Sequence, residues 1–190
     1  GHGVPGALMS MLGISFLNEI VIKREIVATN QVLNELRSLV KSSLNQTGSK
    51  GENQDGMDIA LCAYNTETRL LQFSGANCPL FLNKNGENQI IIYNPDKMPI
   101  GVHPRDNHEF TNHEIQLKKG DNFYIFSDGY ESQFGGEKKE KLKSKHFQEL
   151  LVKYCNKPLE EQKAELEDYF NKWKDTNEQT DDVLLIGVKI

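Results

Sequence analysis

Two acidic turns and one glycine-rich stretch hold the side chains with which this sequence could do chemistry. Ser127-Asp128-Gly129 closes a strongly apolar run, Phe123-Tyr-Ile-Phe126. A strand that ends on a carboxylate holds it rigidly, and the glycine after it lets backbone or solvent approach closely. Alone, the tripeptide also reads as an Asx turn closing a buried strand. Gln179-Thr180-Asp181-Asp182 stands directly before a second apolar run, Val183 to Ile190. Adjacent carboxylates at the mouth of a buried strand repel each other unless a cation neutralises them, and a hard ion such as Mg²⁺ or Mn²⁺ suits oxygen ligands. A solvated acidic turn is the other reading of that pair. Gly1-His2-Gly3-Val4-Pro5-Gly6 leads into a helix whose first amides could bind an anion, or form a structural cap only. The other histidines, His103, His108, His113 and His146, lack metal-ligand spacing.

The remaining chain must supply the elements that position these turns. Apolar residues from Val4 to Val21 predict a largely buried helix over 4–22, opened by Pro5. A second helix starts at Thr29, read as its N-cap, and runs through Leu33, Leu36, Val40 and Leu44. The polar stretch Asn45 to Asp55 reads as a mobile surface loop. Short apolar segments follow at Ile59 to Tyr64, Leu70 to Phe73, Pro79 to Leu82, Gln89 to Tyr93, Glu109 to Leu117 and Asn122 to Phe126. They predict antiparallel strands in hairpins, with Lys119-Gly120-Asp121 turning between the last two. Helices are expected from about Lys141 to Tyr154 and after Pro158, then a final strand over Val183 to Ile190. This order predicts a mixed α+β layered fold in one domain, 1–190.

Composition narrows the partners. With 22 Lys+Arg against 27 Asp+Glu the net charge is -5, which disfavours nucleic acid and anionic membranes. Cys62, Cys78 and Cys155 form neither a zinc motif nor a disulfide framework, and fit a reducing cytoplasm. No apolar run approaches the roughly 20 residues of a membrane span.

In order, Gly1-His-Gly-Val-Pro-Gly-Ala-Leu-Met-Ser10, Asp55-Gly-Met-Asp58, Phe73-Ser-Gly-Ala-Asn77 with Pro79, and Met98-Pro-Ile-Gly101 resemble motifs of one family. Phe126-Ser-Asp128-Gly129, extended through Glu131 and Gln133, and Gln179-Thr-Asp181-Asp182 complete the series. The family is the SpoIIE-like branch of the PPM, or protein phosphatase 2C-like (PP2C-like), phosphatases. The resemblance implies a helix-sheet-sheet-helix sandwich of mainly antiparallel sheets, binding two Mn²⁺ or Mg²⁺ ions. Asp128 and Asp181 would be metal ligands, with Asp182 beside them and Gly129, His2 and Gly3 supporting the site. Beyond these ligands no separate catalytic residue is implied. A metal-held water would hydrolyse phosphoserine or phosphothreonine in a bacterial regulatory protein such as an anti-sigma-factor antagonist, under an upstream sensor domain.

In the family a bridging aspartate precedes the Gly-His-Gly stretch. The chain, starting at Gly1, is therefore expected to lack that ligand and the first strands, to show little activity, and to expose a sheet edge open to homodimerisation. The alternative is a non-catalytic partner-binding module that keeps the phosphatase fold.

Overall fold

The structure is a computed structural model that describes residues 3–49, 54–104 and 107–190. Its elements are α1 (Gly3–Asn18), a π-helical turn (Glu19–Lys23), α2 (Thr29–Ser43), β1 (Ile59–Asn65), β2 (Leu70–Ala76), β3 (Leu80–Asn83), β4 (Ile91–Tyr93) and β5 (His113–Gln116). Then come β6 (Asn122–Phe126), α3 (Gly129–Ser132), β7 (Phe134–Gly135), β8 (Glu140–Lys141), α4 (Ser144–Tyr154), α5 (Leu159–Lys174) and β9 (Leu185–Lys189). They fall into two compact units, the described residues of Gly1–Pro79 with Asn94–Gln116, and Leu80–Tyr93 with Leu117–Ile190.

In the first unit α1 and α2 accompany an antiparallel sheet of order β1-β2-β5. Asn65 closes the β1–β2 hairpin, its Oδ1 accepting the amides of Glu67 and Thr68 at 2.9 Å. The core joins Val32, Leu33, Leu36 and Val40 of α2 to Met9, Ile20, Ala76, Met98, Ile100 and Phe110. Met57 and Ile100 exchange both backbone hydrogen bonds, at 3.1 and 2.8 Å, so the Asp55-Gly-Met-Asp and Met-Pro-Ile-Gly segments lie side by side.

Four expectations change here. Leu8, Met11, Ile14, Val21 and Ile22 are exposed, so the first helix is buried along one strip only. Its apolar residues run all round the axis, and the α2 side can cover only part of them. By length and composition alone Pro5–Lys23 is also apolar enough to cross a membrane, contrary to the sequence reading, because just Glu19 and Lys23 interrupt it. Thr29 is not an N-cap: Ala28 takes that position, and Thr29 Oγ1 instead bonds Ser74 Oγ and Asn112 Oδ1, each at 2.8 Å. In the polar stretch after α2, residues 50–53 lie outside the described set, while Gln46 is buried and its Nε2 donates to Asp55 O at 2.7 Å.

The second unit holds an antiparallel sheet of order β4-β3-β6-β9 and the small β7-β8 ribbon. Phe81, Tyr124, Phe126, Tyr130, Phe147, Leu150, Leu166 and Phe170 pack sheet and helices together. β5 and β6 belong to different sheets, so Lys119-Gly120-Asp121 is a turn but not a hairpin. Asp121 holds it, its Oδ2 accepting Lys118 N at 2.8 Å, with Gly120 at φ 95°. β9 lies at a sheet edge, with Ile186 and the preceding Leu184 exposed. A groove of about 720 Å³ runs between α5 and β9, lined mainly by apolar side chains such as Leu166, Phe170, Val183 and Leu185.

Candidate functional site

The two acidic turns meet because of strand register. β6 and β9 are antiparallel with Phe126 opposite Leu185, which sets the C-terminal end of one strand beside the N-terminal entry of the other. Asp128 follows the first of these positions by two residues, and Asp182 precedes the second by three. β6 takes its place through burial: Phe126 contacts Phe81 and Phe147 edge-on at 4.7 and 5.0 Å between ring centres.

Ser127 ties the turns together. Its hydroxyl donates to Asp182 O at 2.9 Å and accepts Leu184 N at 3.0 Å, while its amide donates to Leu184 O at 3.0 Å. Gly129 closes the contact from the other side: a Cβ there would lie 2.3 Å from Asp182 O, so any side chain would push the turns apart. Asp182 N donates to Asp181 Oδ1 at 2.7 Å, which shapes the second turn.

α3 anchors the first turn from below. Tyr130 is buried, its ring tilted against those of Phe147 and Phe170 with centres 4.7 and 5.1 Å away, and its hydroxyl donates to Leu166 O at 2.7 Å. Burial raises the Glu131 carboxyl above its ordinary pKa; a hydrogen bond with Ser144 opposes this and the charge of Asp128 adds to it. Gln133 ends the helix fully buried.

Asp128, Asp181 and Asp182 are all exposed, on two turns of the second unit whose backbones Ser127 ties together. This all-oxygen donor set on two tied turns fits a hard divalent cation that keeps most of its water. Among the described residues no group of three or more His, Cys, Asp or Glu side chains forms a ready-made cage. Gly3 opens α1 in the first unit, and His2 lies outside the described residues. Sequence reasoning gave no role to Ser127, Tyr130 or Gln133. Ser127 stood inside the quoted motif, but its pairing with Asp182 depends on strand register.

The fold that carries these aspartate turns is the one shared by solved phosphatase domains of the PP2C type. The solved structure of the SiaA-PP2C domain of Pseudomonas aeruginosa matches with TM-score 0.85 and 27% identity, over 100% of this chain and 71% of that one. The RsbU and RsbW domains of Rv1364c from Mycobacterium tuberculosis match at 0.70 and 16%, over 100% and 49%; RsbX in complex with magnesium matches at 0.58 and 13%, over 98% and 75%. The family Stage II sporulation protein E (SpoIIE) matches residues 1–190, and the chain belongs to it. No curated protein matches the chain.

Proposed function

We propose that the chain is a metal-dependent phosphoserine and phosphothreonine phosphatase domain, with Asp128 and Asp181 as ligands to Mn²⁺ or Mg²⁺ and Asp182 beside them. The observation that carries this reading is the joining of the Asp128 and Asp181-Asp182 turns through Ser127. When bound, such a pair of cations supplies a water of lowered pKa and neutralises charge on the phosphoryl oxygens. The chain's own residues do the rest: β6 and Tyr130 fix Asp128, Ser127 fixes the second turn, and Gly129 sets the separation. The magnesium complex of RsbX and a Mn-presoaked SpoIIE phosphatase domain from Bacillus subtilis, matching at TM-score 0.51 and 16% identity, support the choice of ion.

The substrate is a phosphorylated regulatory protein of a bacterial partner-switching system, such as an anti-sigma-factor antagonist, met in the cytoplasm under an upstream sensor domain. The pairing of RsbU and RsbW domains in Rv1364c supports that setting. The edge strand β9, with Ile186 exposed on it and Leu184 exposed just before it, offers a surface for homodimerisation.

Phosphate release from a phosphoserine protein is the test, measured on the full-length protein with Mn²⁺ and with EDTA. Release that needs the metal and falls at least about 100-fold in Asp128→Asn supports the reading. Release indifferent to EDTA, or none from any phosphoprotein with the metal bound, contradicts it.

A further inference from the structure

We propose that Gln133 is a positioning residue for the aspartate site, fixing the spacing between the Asp128 turn and the Asp181 loop; the inference rests on the phosphatase reading. Gln133 is fully buried and lies at the end of α3, five residues after Asp128. Its Nε2 donates to Glu178 O at 3.0 Å, three residues before Asp181, and to Phe134 O at 3.0 Å. One amide therefore joins the helix behind the first aspartate to the loop that leads to the second.

The backbone of Gln133 is itself held from two sides, while its side-chain Oε1 is buried with no hydrogen-bond partner among the described residues. Gln133 O accepts the indole N–H of Trp173 at 3.1 Å and Leu142 N at 3.0 Å. The Trp173 end of α5 is fixed in turn: Gly136 N donates to Trp173 O at 2.9 Å, and a Cβ on Gly135 would lie 1.8 Å from that oxygen. Glu178 belongs to no helix or strand, so its seat depends on contacts of this kind. Ser127 pins the second turn only at Asp182 and Leu184, on the strand side. Gln133 pins its far side, and Asp181 lies between the two pins. Partners that orient metal ligands from behind are typically worth about 10- to 100-fold in metal affinity.

Gln133→Met keeps the length of the side chain and removes the donor. Mn²⁺ affinity is measured by electron paramagnetic resonance on the wild type, on Gln133→Met and on Leu151→Ala, a cavity variant in the same core. We expect Gln133→Met to weaken Mn²⁺ binding about tenfold, with Leu151→Ala losing at least as much thermal stability but keeping its affinity within about twofold. If Gln133→Met does not fold, Trp173→Phe, which removes the indole N–H donated to the backbone carbonyl of Gln133 together with part of the ring, loosens the seat of the same residue and weakens binding in the same direction. Unchanged affinity in the folded Gln133 or Trp173 variant, or equal weakening in Leu151→Ala, overturns the proposal. Absence of Mn²⁺ binding in the wild type overturns the phosphatase reading and this inference with it.

Discussion

The hydroxyl of Ser127 donates to the carbonyl of Asp182 across 2.9 Å, and the same oxygen accepts the amide of Leu184 at 3.0 Å. One side chain thus joins the end of β6 to the entry of β9. Ser127→Ala removes both bonds. A stability loss of about 1 to 2 kcal/mol in urea unfolding is expected, since each net hydrogen bond contributes about 1 kcal/mol. Weaker Mn²⁺ binding should accompany it. Full stability and unaltered binding in this variant would show the bridge to be incidental.

Gly129→Ala tests the separation of the turns. The new Cβ would lie 2.3 Å from Asp182 O and 2.9 Å from its carbonyl carbon, both backbone atoms that no rotamer change can move. The turns must part, and we expect Mn²⁺ affinity to fall at least about tenfold with the circular dichroism spectrum retained. Wild-type affinity in Gly129→Ala would mean that the two loops need not touch to bind the ion.

Cys62 on β1 gives a pH signature in the first unit. Burial pushes its thiol up to about 12. Below roughly pH 8.5, the ordinary thiol value, folded and unfolded chains both keep the proton and the full contribution is present. Above it the unfolded chain releases a proton that the folded chain retains, so stability falls as pH rises towards about 12. Cys62→Ala should flatten that decline between about pH 9 and 11 by comparison with the wild type. At neutral pH, alkylation of the half-buried Cys62 by iodoacetamide should be slower in the native than in the unfolded chain; equal rates in the two contradict the shielding.

Phe147 is the hub of the second unit's core, fully buried and in ring contact with Phe81, Phe126 and Tyr130. Phe147→Ala should cost about 3 to 5 kcal/mol. Because Phe126 and Tyr130 flank Asp128, Mn²⁺ binding should weaken in step with the unfolding transition. A loss below about 1 kcal/mol would place the core elsewhere.

The sequence made the strand and helix order legible because its apolar spacing changes with the element. Asn122 to Phe126 is a strand with the expected bounds, and α2 begins at Thr29. The resemblance singles out Asp128, Asp181 and Asp182, and strand register brings the turns that carry them together. Less legible were features decided by distant partners. Thr29 looks like a cap locally, but Ser74 and Asn112 claim its hydroxyl. The burial of α1 could not be read from composition, because an all-round apolar helix does not announce which strip is covered. α3 and the β7-β8 ribbon are too short to leave a period, and the role of Gln133 depends on a carbonyl 45 residues away.

Metal binding by the aspartate pair tests the account most directly. Mn²⁺ titrations of the wild type, Asp128→Asn, Asp181→Asn and the double variant form one cycle. The account predicts binding in the wild type, a loss of at least about tenfold in each single variant, and little further loss in the double, because both carboxylates serve one site. Undiminished Mn²⁺ affinity in the double variant would contradict it.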